Sequence, residues 1–285
     1  MHNSGAEMEK IILTEWDDAS MKGMKKKVFR VIFALLLIVF IGSVGGILFI
    51  LKQYKDNDKL YAQAAEDYTE PTTGEAAPIV VDFEALKAVN EDVVGWIYCE
   101  GTVIDYPVVQ GEDNDLYLHH SYDKAYSVSG SIFVDSGNRK GFVDSNTIIY
   151  GHHMKNGSMF ASLSKWSDQQ YYEEHPVMWL LTPERDYKVE LFSGYTTSAY
   201  AETYTMFPEP GAEVDAYLER AAGQSDFQPA EGIGLDGEAH YVLLSTCAYV
   251  FDNARSVLHG KLVPVDSAGG VPLSAEGSAG EKNNP

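Results

Sequence analysis

The sequence predicts a mainly-β domain with a single N-terminal transmembrane helix, and three observations lead to this fold class. Residues 31–51 form an uncharged apolar run. Residues 94–263 contain many short runs with the apolar pattern of β-strands, separated by turn residues. Few segments in that region have helical periodicity. Many short strands with few helices are typical of a closed or nearly closed β-barrel.

Composition narrows the possible functions. The chain has 285 residues and a formal net charge of -21, which is far too acidic for a nucleic-acid-binding protein. Its two cysteines, Cys99 and Cys247, allow at most one disulfide, so a disulfide framework is excluded. No Cys/His cluster has the spacing of a structural zinc site. We therefore predict no metal and no cofactor.

The apolar run at residues 31–51 matches the ~20 residues that span a bilayer. Five Lys and Arg residues lie between positions 22 and 30, and this basic excess predicts a cytoplasmic N-terminus over residues 1–30. A cleaved signal peptide is the alternative, with a weak cleavage pattern at residues 62–64. The apolar run exceeds the ~7–15 residues of a signal core, which favours an uncleaved anchor.

Residues 52–79 are polar and contain Pro71 and Pro78, so we interpret them as a linker that begins as a helix. Asp82 is a candidate N-cap for a short helix whose apolar residues are Phe83, Leu86 and Val89. Residues 52–285 carry 15 Lys and Arg against 37 Asp and Glu, so the acidity lies on the outer side of the predicted anchor.

The β body is predicted over residues 80–264. A helix is expected at residues 159–174, and a second at 212–222 has Val214, Tyr217 and Leu218 on one face. Residues 265–285 lack an apolar run and are predicted to be disordered. The predicted strands cover residues 94–109 with a break at Glu100-Gly101, 131–135, 147–150, 177–181, 187–195, 241–247 and 255–263.

The last two strands suggest a catalytic centre. Asp252 and Asn253 form a turn between them, so a hairpin would bring Cys247 close to Arg255. A guanidinium can stabilise a thiolate or the oxyanion that the thiolate creates on a carbonyl. A nucleophilic cysteine also needs a proton partner, and His152 follows Gly151 at the end of another predicted strand.

These motifs, in this order, resemble the class B branch of the sortases. The resemblance rests on Tyr-Gly-His-His-Met at 150–154, Leu-Ser-Thr-Cys at 244–247 and the short spacing to Arg255. Further similar stretches are residues 93–97, 104–111 and 130–135, and the resemblance covers residues 80–264. It implies a barrel of about eight strands, with helices before the barrel and a helix before the cysteine strand.

The resemblance also implies a reaction. Cys247 would attack a carbonyl in the C-terminal sorting signal of a secreted protein, and the thioacyl-enzyme would pass to an amine of the cell wall. His152 would transfer the protons, and Arg255 would stabilise the oxyanion or orient the substrate. Class B enzymes have groove-lining residues at the positions of Asn114 and Leu118. Ser245 and Thr246 are further candidates for positioning substrate. The catalytic domain is then expected outside a Gram-positive cell membrane.

Several alternatives remain open at single residues. His153 could replace His152 as the acting histidine, and Asp252 could orient the histidine, although a turn residue or a partner of Arg255 is favoured. Cys99 is interpreted as a core residue, because a disulfide with Cys247 would block the nucleophile. Acidic residues before His119 and His120 suggest a metal site, but adjacent histidines in a strand point to opposite faces.

Two other functions use the same residues differently. A surface cysteine peptidase would release the acyl group to water instead of an amine. A non-catalytic, membrane-anchored binding module would leave Cys247 without unusual reactivity. A thiol oxidoreductase is disfavoured, since the chain has no Cys-x-x-Cys pair.

Overall fold

The computed structural model describes residues 4–72 and 77–265. The chain divides into two units, Met1–Gln53 and Tyr54–Pro285. The first unit is part of one long helix, α1 (Ser4–Tyr68). Large apolar side chains of residues 28–51 are exposed in it, and the segment Lys25–Tyr68 is long and apolar enough to cross a membrane. The predicted long apolar N-terminal helix is therefore confirmed.

The second unit is a closed barrel, preceded by a small sheet of β1 (Thr69–Pro71) and β2 (Ile79–Val81). The strand order around the barrel is β10-β8-β7-β3-β4-β5-β6-β9. The β4–β5 and β6–β9 pairs are parallel, and the others are antiparallel. The barrel strands are β3 (Val93–Tyr98), β4 (Asp105–Val109), β5 (Ile132–Val134), β6 (Asn146–Tyr150), β7 (Val177–Leu181), β8 (Asp186–Ser198), β9 (His240–Cys247) and β10 (Ala254–Val265). The predicted eight-stranded, mainly-β barrel is confirmed.

Short helices cover the barrel. The helix α2 (Phe83–Val89) is capped by Asp82, whose carboxylate accepts a hydrogen bond from the backbone of Ala85 at 2.9 Å. The region predicted as one helix at 159–174 contains a 3-10 helix (Phe160–Ser167) and α3 (Gln169–Glu174). They are separate because Asp168 has an extended backbone and caps α3. The predicted helix before the cysteine strand is α4 (Ala212–Gly223).

Two hydrophobic clusters lie on the two faces of β9. Val242 and Leu244 belong to the cluster that fills the barrel. Tyr241 and Leu243 belong to a second cluster, which includes the apolar face of α4. Because side chains alternate along a strand, Cys247 is on the same face as Leu243, outside the barrel interior.

The C-terminal part of α1 belongs to the second unit and packs on the barrel. Tyr61 is 3% exposed, its hydroxyl donates to the carbonyl of Gly130 at 2.7 Å, and its ring meets that of Tyr106 edge-on. Ala64 is also buried. The sequence suggests a spacer here, whereas the structure places these residues in the core of the unit. The predicted disordered tail lies outside the described residues beyond position 265.

Candidate active site

The β9–β10 hairpin places Arg255 directly opposite Cys247. The connecting loop closes with the backbone N–H of Ala248 donating to the carbonyl of Ala254 at 2.9 Å, and Asn253 has a positive φ of 59°. Residues opposite each other on neighbouring antiparallel strands share a face of the sheet. The thiol and the guanidinium therefore lie on the same face of the sheet, at one end of the hairpin that the sequence predicted.

The strand β6 brings the two histidines to the same end of β9. It pairs in parallel with β9, with Tyr150 opposite Ser245, and the Gly151 N–H donates to the carbonyl of Ser245 at 3.1 Å. A Cβ atom at Gly151 would lie 2.5 Å from Ile132 and 2.7 Å from Phe160, so no larger residue fits before His152.

Each of the two histidines is held by a backbone carbonyl. The Nε2 of His152 lies 2.7 Å from the carbonyl oxygen of Leu118, and the Nδ1 of His153 lies 2.7 Å from that of Cys247. Since a carbonyl only accepts, each of these nitrogens carries a proton. The contact between His153 and the Cys247 backbone was not predicted.

A cavity of about 310 Å³ lies beside His153, and the exposed ring of Tyr249 forms part of its wall. The two rings meet edge-on with centroids 5.2 Å apart. Ser256 also lines this cavity. Val257, the next residue of β10, lines it too, so the wall of the cavity includes residues from both faces of this strand.

Two tyrosines lie beside the predicted catalytic residues, and sequence reasoning missed both as site residues. The hydroxyl of Tyr204 and the Oγ of Ser245 are 2.7 Å apart. Burial raises the pKa of Tyr204 to about 12, although the nearby positive charge of Arg255 lowers it. The ring of Tyr150 stacks on Tyr204 with centroids 6.5 Å apart. Tyr150 is part of the motif at 150–154, whereas no local pattern marks Tyr204.

Arg255 is half-buried. Its Nη1 donates a hydrogen bond to the backbone carbonyl of the preceding residue, Ala254, at 3.0 Å. Within residues 25–72 and 77–265, no carboxylate lies within ion-pair distance of it. Asp252, the alternative partner, is exposed in the turn. The guanidinium charge is therefore not neutralised by an ion pair within those residues.

The other predicted substrate-binding residues differ in their placement. Asn114 donates from its Nδ2 to the carboxylate of Asp135 at 3.0 Å, and Leu118 contributes the carbonyl that holds His152. Ser245 contacts Tyr204 as described above. Thr246 is 2% exposed, and strand alternation puts its side chain on the face opposite Cys247. A contact between Thr246 and substrate would therefore involve its backbone.

Cys99 lies in a different environment. It is buried, and its Sγ is 3.6 Å from the carbonyl oxygen of Val177. Burial raises the pKa of its thiol to about 11. Both cysteines are free thiols.

No family model matches the chain. The chain is 37% identical to sortase B of Listeria monocytogenes over 230 residues, which is 79% of this chain and 92% of that protein. It is 28% identical to sortase B of Staphylococcus aureus over 246 residues, covering 85% of this chain and 100% of that protein.

Solved structures of sortase B are similar in fold. A sortase B of Bacillus anthracis in complex with AAEK1 has a TM-score of 0.65 and 34% identity, with 75% of this chain and all of that chain covered. A Staphylococcus aureus sortase B–substrate complex has a TM-score of 0.61 and 26% identity, with 75% of this chain and 95% of that chain covered. A sortase B complexed with triglycine has a TM-score of 0.59 and 30% identity, with 65% of this chain and 86% of that chain covered. The chain therefore belongs to the sortase B family and is a cysteine transpeptidase.

Proposed function

We propose that the chain cleaves the C-terminal sorting signal of secreted proteins and joins the new carboxyl end to an amine of the cell wall. The observation that carries this proposal is the register of β9 and β10, which pairs Cys247 with Arg255 beside the Gly151–His152 loop. The substrate complex of the Staphylococcus aureus enzyme and the triglycine complex of another sortase B support a peptide donor and an amine acceptor.

In the first half-reaction, the Nδ1 of His152 takes the proton of the Cys247 thiol, and the Sγ attacks the carbonyl carbon of the scissile peptide bond. A C–S bond forms, and the guanidinium of Arg255 stabilises the negative charge that develops on the carbonyl oxygen. His152 donates a proton to the leaving amine as the C–N bond breaks. The Leu118 carbonyl orients the imidazole by accepting from Nε2, which leaves Nδ1 as the nitrogen that exchanges a proton.

In the second half-reaction, the acceptor amine attacks the thioester carbon. His152 removes a proton from the amine, the C–S bond breaks and the thiolate of Cys247 leaves. An amide forms in place of the thioester. His152 therefore acts as an acid in one half and as a base in the other, which suits an imidazole near neutral pH.

The acyl donor lies in a groove formed by Asn114, Leu118 and Ser245, with the backbone of Thr246 at its end. This assignment is supported by the position of Asn114 and by the contacts of Leu118 with His152 and of Ser245 with Tyr204. All the proposed catalytic and groove residues lie within residues 80–264, the proposed catalytic domain.

The chain acts at the outer face of the cell membrane in this proposal. Residues 1–30 lie in the cytoplasm and residues 31–51 cross the bilayer. The basic residues that precede the apolar run and the exposed apolar side chains of that run support this topology. The acidic residues 52–285 then face the wall, where an amine-bearing peptide is an electrostatically compatible partner.

The test uses the full chain in detergent, a library of sorting-signal-like peptides, and triglycine or hydroxylamine as amine. Mass spectrometry follows the protein and the products. We expect a thioacyl adduct on Cys247 that the amine converts to an amide, and no adduct in Cys247→Ala. Cys99→Ala is the matched control and should react as the wild type does.

Other outcomes would contradict parts of the proposal. An adduct resolved by water in the presence of both amines would favour a peptidase. The absence of any adduct, with Cys247 labelled no faster than Cys99, would favour a non-catalytic binding module.

A further inference from the structure

The proposed mechanism does not use one buried carboxylate, that of Asp135, which touches Asn114 of the groove and the neighbouring Tyr150. The Oδ2 atom of Asp135 accepts from Nδ2 of Asn114 at 3.0 Å and from the hydroxyl of Tyr150 at 2.9 Å. Asp135 is 7% exposed and directly follows β5. It therefore connects the loop that carries Asn114 to the end of the strand that leads into His152.

The carboxylate is itself held in place. Its Oδ1 accepts from the backbone of Gly137 at 2.8 Å, and its own backbone carbonyl accepts from Nε2 of Gln110 at 3.1 Å. Within residues 25–72 and 77–265, no Lys, Arg or His lies within ion-pair distance of this carboxylate. A buried carboxylate without an ion pair depends on its hydrogen-bond donors, so Asn114, Tyr150 and Gly137 supply its compensation.

An ionised carboxylate can only accept hydrogen bonds, and this determines how its two side-chain partners are oriented. Asn114 must turn its NH₂ group toward Asp135, which leaves its Oδ1 to accept from the backbone of Ser136 at 2.8 Å. Tyr150 must direct its hydroxyl hydrogen at Asp135, so only its lone pairs are left to accept. Burial, and next the negative charge of Asp135, raise the pKa of Tyr150, which keeps this phenol neutral.

We propose that Asp135 is a positioning residue for the acyl-donor half of the reaction, which sets the orientation of the Asn114 amide and the Tyr150 hydroxyl. The inference rests on the proposed function, because it assigns Asn114 to the donor groove. Asp135 acts through its partners and exchanges no proton with the reacting atoms. Its influence is on the first half-reaction, in which the donor peptide is bound and Cys247 is acylated.

The test separates the two half-reactions kinetically. The full chain in detergent is assayed with a donor peptide that acylates the wild type, and hydroxylamine serves as a small acceptor. In a two-step reaction of this kind, kcat/KM for the peptide reports acylation, and kcat/KM for hydroxylamine reports resolution of the thioester. Asp135→Asn keeps the volume but places an NH₂ group either at the Oδ2 position, facing both side-chain donors, or at the Oδ1 position, facing the Gly137 N–H.

We expect Asp135→Asn to lower kcat/KM for the donor peptide about tenfold, the effect of losing one hydrogen bond to a charged group. The kcat/KM for hydroxylamine should remain equal to that of the wild type. Asn114→Ala and Asp135→Asn together should cost no more than the larger single effect, because the two residues act as a unit. Glu112→Gln, an exposed change in the same region, is the control.

Three results would overturn the inference. In the first, Asp135→Asn leaves kcat/KM for the donor peptide unchanged. In the second, its effect on that value adds fully to the effect of Asn114→Ala. In the third, kcat/KM for the peptide and kcat/KM for hydroxylamine fall in proportion. The last result would indicate a lower fraction of folded enzyme, which titration of the Cys247 thiol measures independently. A wild type that forms no thioacyl adduct would instead contradict the proposed function.

Discussion

At the scale of single residues, the two cysteines show how position determines reactivity. Cys99 has its thiol buried beside a backbone carbonyl, and burial raises its pKa to about 11. Cys247 is half-exposed at a strand end, opposite a guanidinium with no carboxylate partner among the described residues. The Cys99 thiol is therefore buried and disfavoured as a thiolate, whereas the Cys247 thiol is accessible.

This contrast predicts selective alkylation. With iodoacetamide at pH 8, we expect one adduct, on Cys247, because only about 0.1% of Cys99 would be thiolate at that pH. In denaturant both cysteines should react. Peptide mass mapping over time measures the two rates. Equal rates in the native protein would show that the burial of Cys99 does not protect it.

Arg255 is predicted to act through its charge and its shape. We expect Arg255→Ala to lower kcat by ~10²–10³-fold, as removal of an oxyanion donor does in other enzymes. Arg255→Lys should recover part of the activity, since it keeps the charge but loses the planar fork. Steady-state assays of both variants check this. Arg185→Ala, an exposed change in the β7–β8 turn, should match the wild type.

At the scale of secondary-structure elements, the C-terminal part of α1 stabilises the barrel. Tyr61 packs against Tyr106 and Tyr122, and its hydroxyl donates to Gly130. Asn57 accepts from Ser127 at 2.7 Å. A chain that begins at residue 80 would lose these contacts and expose the rings of Tyr106 and Tyr122.

Tyr61 provides a measurable test of this packing. We expect Tyr61→Phe to lower the free energy of unfolding by about 1 kcal/mol, the value of one buried hydrogen bond, and Tyr61→Ala by about 3–5 kcal/mol. Urea unfolding followed by tryptophan fluorescence measures both. Tyr126→Phe is the control, because Tyr126 is 69% exposed. A Tyr61→Ala chain as stable as the wild type would show that this packing contributes nothing.

The interface between α4 and the sheet contains a buried histidine. His259 is 1% exposed, and its Nε2 lies 3.0 Å from the hydroxyl of Tyr217 on α4. Tyr217 also donates to the carbonyl of Thr203, in the 3-10 helix (Glu202–Tyr204) that carries Tyr204. The core packing of α4 is therefore connected to the segment that carries Tyr204, whose hydroxyl contacts Ser245.

His259 gives this interface a defined pH dependence. Burial lowers its pKa to about 3, so between about pH 6.5 and 3 the unfolded chain binds a proton that the folded chain does not. Stability should fall as pH decreases through this window, by at most about 1.4 kcal/mol per pH unit from this residue. We expect His259→Asn to reduce the slope of unfolding free energy against pH between 6 and 4.5. His119→Asn, an exposed change, should keep the wild-type slope, and equal slopes in all three chains would contradict the prediction.

At the scale of the whole molecule, the chain combines one apolar helical segment, residues 28–51, with an acidic body, residues 52–285. Residues 28–51 expose large apolar side chains, whereas residues 52–285 carry a formal net charge of -22. A surface of this charge is soluble and is repelled by anionic lipid headgroups. The proposed membrane attachment would therefore come from the apolar helix.

The full chain should remain with membranes after washing at high salt and alkaline pH, because ~20 apolar residues in a bilayer are not released by charge screening. A chain that begins at residue 54 should be soluble. Fractionation followed by immunoblotting measures this, and protease added outside intact cells should digest the acidic body. Release of the full chain by salt would contradict the anchor.

The sequence by itself determined the barrel strands, the apolar helix and the motif residues Cys247, Arg255 and His152. These depend on local features, namely apolar periodicity, turn residues and short spacings, which are visible within a few residues of the chain. The eight-stranded barrel is confirmed, and the family-level function is confirmed by the relatives. The individual roles of the site residues stay predictions.

Only the tertiary structure decided which distant residues lie beside the predicted site residues. Through the closure of the barrel, Tyr204 contacts Ser245 and Asp135 contacts Tyr150, and the parallel β6–β9 pair joins segments about 95 residues apart. Tyr61 packs on the barrel through aromatic contacts that depend on residues far along the chain. Such contacts form only when the strands close, so no pattern near Tyr204 or Tyr61 could have indicated them. The stretch 130–135, which contains Asp135, indicated the family but not the contacts of this carboxylate.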